Sequence, residues 1–456
     1  MLILGHLLFG LLCLLVYAVN THVGAQRRHP SAAVAWVLLI ALMPYAGLPL
    51  YLIFGSRKFV RPQPHHRVAP APHDAAARSA TIATLQSMGL GAPQPQHEVR
   101  FHRDGAEAWD ELVALATAAR HQLDLCTYQL GNDPLGQQVA MLLEQRAVAG
   151  VRVRLLLDSI GSLGTSRRTI ARLRATGVQV RWFMPLLHNP MRGRVNLRNH
   201  RKLTIADGRR LWSGGRNLAA EYFTGRGREP AWVDASFTVD GPLAAQARAL
   251  FDSHWLHTGS APDEAAGPPP VPPPHDGARH LAQLVPSGPD QAEDTMHDLL
   301  LTEIFRARRQ VLAVSPYFVP DDSLLTALCL AARRGVQVEL ILPERSNHRL
   351  ADIARERALR ELAAAGARVR LTEGMTHAKA VVIDDTLALC GSLNLDARSL
   401  FLNYELMVAF YAPADIAALN RWLSATFADA RECAAAAVSL PRDIFEGLVR
   451  WLAFQI

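Results

Sequence analysis

The sequence is poor in cysteine and lacks the short motifs that bind nucleotides or metal ions. Its five cysteines are scattered over 456 residues without the C-x-x-C spacing of a zinc or redox site. Such cysteines are typical of unpaired thiols in a reducing compartment, so no disulfide framework is implied. No phosphate-binding G-x4-G-K-[ST] loop, dinucleotide-binding glycine pattern or acidic cluster occurs. The sequence therefore predicts neither a cofactor nor a metal site.

Charge is also in modest supply, since only 20% of the residues are charged and the formal net charge is +7. A small basic excess suits a protein that works against anionic lipid or handles phosphates, although many basic proteins do neither. Half of the residues are hydrophobic. The chain therefore has room for two domains of ordinary size and a membrane anchor.

Long apolar runs occur near the N-terminus. One spans Leu2 to Val19 and a second spans about Ala32 to Phe54, and each is nearly or fully long enough to cross a bilayer. No basic segment precedes the first run, so a cleaved signal peptide is not expected. The sequence predicts a membrane hairpin over residues 1–58 and a linker over residues 59–97.

Basic residues around the two runs predict the orientation of the hairpin. Two lie between the runs and four follow them, which places the C-terminal part in the cytoplasm by the positive-inside rule. Pro44 and Pro49 leave open a kinked or re-entrant hairpin instead of two straight spans. The basic residues are Arg27 and Arg28 between the runs, and Arg57, Lys58, Arg61 and Arg67 after them.

Beyond the linker, strand and helix patterns alternate and then repeat in the same order. This pattern predicts an α/β fold with two similar domains, residues 98–262 and 281–430, in pseudo-twofold arrangement. A stiff, proline-rich linker at residues 263–280 separates them. The predicted helices are 107–119, 136–149, 294–307 and 323–334, and the predicted strands are 122–128, 151–157, 310–315 and 336–342.

The last segment, residues 431–456, ends in an apolar stretch that is too short to span a membrane. It could lie in the membrane interface with Trp451 and Phe454 inward, or it could pack on the protein itself.

One motif, H-x-K-x4-D, occurs twice in the chain, with its two copies 177 residues apart. Both copies continue with the same spacing to a pair of small residues and an asparagine. The first copy is His200, Lys202, Asp207, Gly214, Gly215 and Asn217, and the second is His377, Lys379, Asp384, Gly391, Ser392 and Asn394.

These residue types suit the chemistry of a phosphodiester. An imidazole titrates near neutral pH, so one histidine can attack phosphorus while another donates a proton to the leaving oxygen. A lysine two residues away, on the same face of a strand, places an ammonium beside the phosphoryl oxygens. The asparagine supplies neutral donors, and the small residues let the backbone come close to the phosphate.

The paired motifs resemble those of the phospholipase D superfamily, and the segments around them are similar to bacterial cardiolipin synthases that join two phosphatidylglycerols. The resemblance implies two phospholipase D-like domains whose His-Lys pairs meet at the interface. It also implies transfer of a phosphatidyl group in the bacterial inner membrane, giving cardiolipin and glycerol, without cofactor or nucleic acid. The similar segments are Asn196 to Lys202, Val285 to Asp290, Ser315 to Pro320, Asn394 to Ser399 and Leu402 to Glu405.

The resemblance further implies that His200 is the nucleophile, because the family generally uses the N-terminal motif to form a phosphatidyl-histidine. His377 is then the acid that protonates departing glycerol and the base that activates the incoming hydroxyl. Asp207 and Asp384 belong to the family motif, but each follows a strand and precedes a turn. We therefore expect them to hold the motif in shape through buried hydrogen bonds.

Two other carboxylates are candidates for orienting the imidazoles. Asp234 and Glu405 each open a strand at the same place in their repeat, if the first repeat carries a six-residue insertion. A carboxylate behind a histidine stabilises the imidazolium and fixes its tautomer. A purely structural role for Asp234 remains open.

Four arginines crowd the approach to the first motif and either receive anionic headgroups or form a solvated basic loop. The alternative activity is a hydrolase with the same site, a phospholipase D or a nuclease, or transfer to another alcohol. The membrane hairpin and the small basic excess argue against a nuclease, and two intact motifs argue against a non-catalytic scaffold. The arginines are Arg192, Arg194, Arg198 and Arg201.

Overall fold

The predicted α/β fold with two similar units is confirmed in the computed structural model. Each predicted helix and strand of the two units forms, with ends within two residues of the prediction. The structure describes residues 2–23, 30–55, 57–58, 76–185, 196–258, 279–433 and 438–453.

Several helices begin where the sequence supplies a side-chain N-terminal cap. The carboxylate of Asp104 accepts from the N–H of Glu107, and that of Asp133 accepts from the N–H of Gly136. The helices are α1 Leu2–Val23, α2 Pro30–Leu42, α3 Pro44–Phe54, α4 Ala76–Ser87, α5 Gly105–Ala118, α6 Pro134–Val148, α7 Arg167–Ala175, α8 Pro242–His257, α9 Thr295–Arg306, α10 Asp322–Arg333, α11 Arg349–Ala364, α12 Ala397–Phe401, α13 Pro413–Thr426 and α14 Leu440–Ala453.

The strands are short and mostly buried on both faces, as expected for sheets covered by helices. They are β1 Gln94–Gln96, β2 Glu98–Phe101, β3 Gln122–Thr127, β4 Arg152–Asp158, β5 Gln179–Phe183, β6 Leu203–Ala206, β7 Arg210–Gly214, β8 Ser236–Asp240, β9 His280–Ser287, β10 Gln310–Val314, β11 Phe318–Val319, β12 Gln337–Pro343, β13 Arg368–Thr372, β14 Ala380–Ile383, β15 Leu387–Gly391, β16 Leu395–Asp396, β17 Glu405–Phe410 and β18 Arg431–Glu432.

The two sheets have the same topology. The first runs β2-β8-β7-β6-β3-β4-β5, and the second contains the equivalent order β9-β17-β15-β14-β10-β12-β13. In each sheet three neighbouring strands are parallel and the others are antiparallel. The second sheet gains β1 and β18 at its edges, and β11 pairs with β16 separately. A duplicated unit explains this agreement.

A shared hydrophobic core joins the two sheets. Phe237 of β8 and Phe410 of β17 are both fully buried, and their ring centroids lie 5.3 Å apart. Helices α8 and α13 contribute Phe251 and Leu419 to the same core. Helices α5 and α6 cover the other face of the first sheet, and α9 and α10 cover that of the second. The motif-bearing strands β6 and β14 therefore face each other across a packed interface.

The N-terminal hairpin is only partly as predicted. Helix α1 contains one window, Leu4–Thr21, that is long and apolar enough to cross a membrane. The second apolar run breaks at Met43 into α2 and α3, because Pro44 lacks an N–H and its ring disfavours a continuing helix before it. The second run is therefore not a straight span, which fits the kinked alternative.

After the hairpin, Arg57 and Lys58 are bound to the second unit. Arg57 donates to both oxygens of Asp294 at 2.9 and 2.8 Å, and the Lys58 ammonium donates to the main-chain oxygens of Gly288 and Glu293. These two basic residues therefore join the hairpin to the loop between β9 and α9.

The three segments interpreted as linkers or tail fall partly outside the described residues. Within 59–97 the structure places α4 and β1, and Leu85 of α4 is buried in the core of the second unit. Of 263–280 only the last two residues are described. The tail forms β18 and α14, whose Asp443 and Glu446 accept from Arg360 of α11.

One face of α14 therefore packs on the protein itself, as in the second of the two alternatives for the tail. Leu440, Ile444 and Phe445 remain 72%, 56% and 55% exposed. The side chain of Trp451 and the whole of Phe454 lie outside the described part of the chain.

Candidate active site

Both H-x-K segments lie at the same edge of their sheets. His200 and Lys202 come just before β6, and His377 and Lys379 come just before β14. Each of these strands runs antiparallel to the first parallel strand of its sheet. The two segments therefore emerge at the C-terminal end of the parallel strands, where α/β sheets generally bind their ligands.

Backbone hydrogen bonds join each motif to the other repeat. The N–H of His200 donates to the carbonyl oxygen of Tyr404 at 2.9 Å, and that of His377 donates to Val233 at 2.7 Å. Tyr404 and Val233 immediately precede Glu405 and Asp234 in the sequence. Each candidate carboxylate is thus carried to the histidine of the opposite repeat.

The carboxylates face the histidines crosswise. Oδ2 of Asp234 lies 2.7 Å from Nδ1 of His377, and Oε1 of Glu405 lies 3.6 Å from Nδ1 of His200. Both carboxylates are fully buried. The side chains of His200 and His377 keep 22% and 9% of their surface exposed. The sequence pointed to both carboxylates but not to this crossed pairing.

The surroundings of the two carboxylates differ. Gly215 lies so close to Asp234 that a Cβ atom there would come within 2.2 Å of Oδ1. Its counterpart Ser392 donates a hydrogen bond to Oε2 of Glu405 at 2.5 Å, and Asn403 donates to Oε1 at 3.2 Å. The small residues predicted to approach phosphate therefore approach the two candidate carboxylates.

The pKa values follow these surroundings. Although burial opposes the shift, the adjacent His377 and Lys379 lower the pKa of Asp234 below its usual value. Burial raises the pKa of Glu405 to about 7, against the lowering effect of Lys202. Asp234 is therefore an ionised partner near neutral pH, whereas Glu405 is partly protonated.

Both imidazoles are neutral at neutral pH without substrate. Burial, assisted by Lys202, holds the pKa of His200 well below its usual value. Burial and Lys379 lower the pKa of His377 to about 4, with Asp234 opposing them. A neutral imidazole is the nucleophilic form. A bound phosphodiester anion adds negative charge, which would raise the pKa of His377 towards proton donation.

The lysines sit beside their own histidines. Nζ of Lys202 donates to the carbonyl oxygen of His200 at 2.6 Å, and Nζ of Lys379 donates to that of His377 at 2.5 Å. Nζ of Lys379 also lies 2.7 and 2.9 Å from the two ring nitrogens of His377. Burial lowers the pKa of Lys379 to about 7, although Asp234 opposes it. This ammonium is therefore poised to lose its proton near neutral pH.

The asparagines of the two motifs are buried and held in equivalent ways. Nδ2 of Asn217 donates to the hydroxyl of Tyr222 at 2.7 Å, and Nδ2 of Asn394 donates to the hydroxyl of Ser399 at 3.2 Å. Their Oδ1 atoms are buried without a hydrogen-bond partner among the described residues. Each amide nitrogen has a second N–H that can serve a ligand.

Asp207 and Asp384 lie at the far end of the β6–β7 and β14–β15 hairpins from the histidines. The carboxylate of Asp207 accepts from the backbone N–H groups of residues 120, 121 and 122 at 2.8 Å. The carboxylate of Asp384 does the same with residues 308, 309 and 310. These contacts fit the expected shape-holding role, although both carboxylates are only half-buried.

The two described arginines of the approach, Arg198 and Arg201, follow neither of the expected alternatives. Arg192 and Arg194 lie outside the described residues. Arg198 is buried beside Asp158, and Arg201 is fully buried and paired with Asp290 at 2.9 and 3.0 Å. Both described arginines therefore bind the protein itself.

Arg201 also marks a contact that sequence reasoning missed. Its Nε donates to the main-chain oxygen of Glu405 at 2.9 Å, and one Nη donates to that of Ser287 at 3.0 Å. The equivalent residue in the second motif is Ala378. The first motif thus has a guanidinium that braces the strand of the carboxylate facing His200.

Aromatic rings line both histidines, and no sequence pattern predicted them. The ring of Tyr128 lies 4.1 Å from that of His200. The rings of Tyr222 and Trp232 lie 4.9 and 5.7 Å from that of His377.

In the described part of the chain, no group of three or more His, Cys, Asp or Glu side chains could hold a metal ion. The arrangement can perform nucleophilic and acid–base chemistry between two histidines.

Comparisons with known proteins agree on one family. The model described as cardiolipin synthase, phospholipase D-like domain, matches residues 112–255 and 300–427. The model described as phospholipase D-nuclease N-terminal matches residues 11–56.

Relatives extend over most of the chain. Cardiolipin synthase A of Pseudomonas aeruginosa is 33% identical over 94% of this chain and 91% of its own length. Cardiolipin synthase 1 of Bacillus cereus is 29% identical over 87% of this chain and 83% of its own. Phosphatidylserine synthase of Haemophilus influenzae shares the fold with a TM-score of 0.64, at 13% identity, over 83% of this chain and 100% of its own.

Proposed function

The chain belongs to the cardiolipin synthase family of phospholipase D-like proteins, and from that premise we propose that it transfers a phosphatidyl group between two phosphatidylglycerols. The products are cardiolipin and glycerol. The observation that carries the proposal is the crossed arrangement, in which each buried carboxylate faces the histidine of the opposite repeat. Such an arrangement gives one nucleophile and one acid–base at a single phosphorus.

In the first step, Nε2 of His200 attacks the phosphorus of the donor lipid. A phosphorus–nitrogen bond forms while the bond from phosphorus to the glycerol oxygen breaks. His377 gives its proton to that oxygen, and glycerol leaves. Burial and Lys202 keep His200 neutral, and Glu405 lies 3.6 Å away, whereas the ionised Asp234 stabilises the imidazolium of His377.

In the second step, the terminal hydroxyl of another phosphatidylglycerol attacks the phosphatidyl-histidine. His377 takes the hydroxyl proton, a new phosphorus–oxygen bond forms, and the phosphorus–nitrogen bond to His200 breaks. One phosphodiester replaces another, so the exchange needs no nucleotide. Lys202 and Lys379 supply positive charge to the phosphoryl oxygens in both steps.

We further propose that the hairpin anchors this site at the cytoplasmic face of a bacterial inner membrane, with α1 as one span. The basic residues after the hairpin support this orientation. Arg57 also packs over the ring of Phe401 at 4.6 Å, at the end of α12. Since α12 follows Asn394 closely, this contact would keep the site beside the membrane that holds its lipids.

The direct experiment is to give the purified full-length protein cardiolipin and labelled glycerol in the presence of excess chelator. Return of label as phosphatidylglycerol is expected, because both steps are reversible. The His377→Ala variant serves as the control. Phosphatidic acid accumulating without labelled phosphatidylglycerol would instead identify a hydrolase.

A further inference from the structure

Two equivalent positions next to the asparagines of the motifs carry opposite charges. Glu221 lies four residues after Asn217, and Arg398 lies four residues after Asn394, so the two are 177 residues apart like the motifs themselves. Because one position carries an acid and its equivalent carries a base, the two sides of the duplicated site differ in charge. The difference suggests that the two ends of the substrate meet different chemistry.

Glu221 lies on the His377 side of the site. It belongs to a 3-10 turn, Ala220–Tyr222, and the ring of its neighbour Tyr222 packs 4.9 Å from the imidazole of His377. The main-chain oxygen of Glu221 accepts from the N–H of Trp232 at 2.7 Å. Its Oε1 lies 3.4 Å from the amide nitrogen of Gln129. Gln129 follows Tyr128, the residue whose ring contacts His200.

Arg398 lies on the His200 side. Its guanidinium donates to Oδ1 and to the main-chain oxygen of Asn196 at 3.0 and 2.8 Å. Asn196 begins the segment that leads to His200. The positive charge of Arg398 is also among those that lower the pKa of His200. A cation therefore stands where the phosphatidyl group becomes attached, whereas Glu221 is connected to the His377 side through its neighbour Tyr222.

Only one oxygen of the Glu221 carboxylate accepts a hydrogen bond from the described part of the protein. The residue is 8% exposed, and its Oε2 has no hydrogen-bond partner among the described residues. Oε2 forms an ion pair at 3.6 Å with Nη2 of Arg226, whose side chain is 64% exposed. A buried carboxylate oxygen without a donor is costly, unless a ligand supplies one.

We propose that Glu221 binds the hydroxyl groups of the glycerol headgroup, in the position shared by the leaving glycerol and the incoming acceptor. This inference rests on the proposed function. In an in-line exchange, the leaving and incoming oxygens lie opposite the nucleophile His200 and next to the acid–base His377. The carboxylate on that side accepts hydrogen bonds from the additional hydroxyl groups of a polyol, which water and simple alcohols lack.

The role is one of acceptor selection. A second hydroxyl held by Glu221 orients the reacting hydroxyl towards phosphorus and His377, so binding energy is used for positioning. Loss of one charge-assisted hydrogen bond is expected to cost about tenfold in rate with a polyol. The rate with an alcohol that has only one hydroxyl should not change.

The test compares glycerol with 1-propanol as acceptors for labelled phosphatidylglycerol, using the full-length protein in mixed micelles. The Glu221→Gln variant should lower the ratio of glycerol transfer to propanol transfer about tenfold. The matched control is Glu229→Gln, which makes the same change at an exposed residue nearby. Propanol transfer reports whether the variant is folded and chemically competent.

An unchanged ratio would overturn the proposal, whether both rates persist or both fall together. A second measurement needs no variant: in the unaltered protein the rate should rise from 1-propanol to 1,3-propanediol to glycerol. A flat series, or ethanolamine surpassing glycerol, would also overturn it, since the latter would indicate an ammonium site. Failure of the unaltered protein to transfer to any alcohol would instead refute the proposed function.

Discussion

The two histidines hold equivalent places in the two repeats, yet their partners differ in kind. His377 has an ionised aspartate at 2.7 Å, whereas His200 has a glutamate at 3.6 Å whose pKa is raised to about 7 by burial. The neighbours of the two carboxylates also differ: Gly215 lies against Asp234, whereas Ser392 donates to Glu405, which lowers the pKa of Glu405 but does not offset burial. The duplicated fold thus contains one histidine whose imidazolium, once formed, faces an ionised carboxylate, and one whose carboxylate partner is partly protonated.

Substitution of the two carboxylates is expected to produce the largest difference in kcat between the two sides of the site. Asp234→Asn removes the charge that stabilises the His377 imidazolium and should lower kcat about 10²- to 10⁴-fold. Glu405→Gln should lower it only about tenfold, because glutamine can still accept from Ser392. Steady-state cardiolipin formation by the two variants measures the difference. Equal losses would remove the distinction between the two partners.

A smaller effect concerns pH. The lowered pKa of Lys379, about 7, means that its ammonium loses a proton as the pH rises through that value. Countercharge to the phosphate then falls, so kcat/KM should decline several-fold above pH 7. Lys379→Arg keeps its charge and should move this decline to higher pH, as a profile of kcat/KM against pH would reveal. If kcat/KM still declines above pH 7 in Glu405→Gln, the decline does not arise from ionisation of Glu405.

The smallest difference between the repeats is expected at the turns. Asp207 and Asp384 make the same three backbone contacts, so Asp207→Asn and Asp384→Asn should each lower the free energy of unfolding by about 1–2 kcal/mol. Thermal unfolding compared with the unaltered protein measures this. A large loss of kcat in either folded variant would instead place that carboxylate in the chemistry.

Sequence predicted most of the fold because the periodicity of strands and helices and the duplicated motif are local signals. It also pointed to Asp234 and Glu405 by their equivalent positions. It could not pair them with the opposite histidines, since that pairing depends on hydrogen bonds from His200 to Tyr404 and from His377 to Val233.

Other parts of the site left no local pattern either. The bracing of the first motif by Arg201 depends on Asp290, which is 89 residues away. The rings of Tyr128 and Tyr222 reach the histidines only through folding of the chain. The sequence alone did not decide whether the second apolar run is interrupted at Met43, because a proline can kink a helix or end it.

The central claim is that the two histidines have different roles, with His200 carrying the phosphatidyl group. The most direct measurement is to quench turnover rapidly, digest the protein and locate the adduct by mass spectrometry. We predict phosphatidyl-histidine at His200 in the unaltered protein, a slowly formed adduct at the same place in His377→Ala, and none in His200→Ala. An adduct at His377 in the unaltered protein would show that the two roles are reversed.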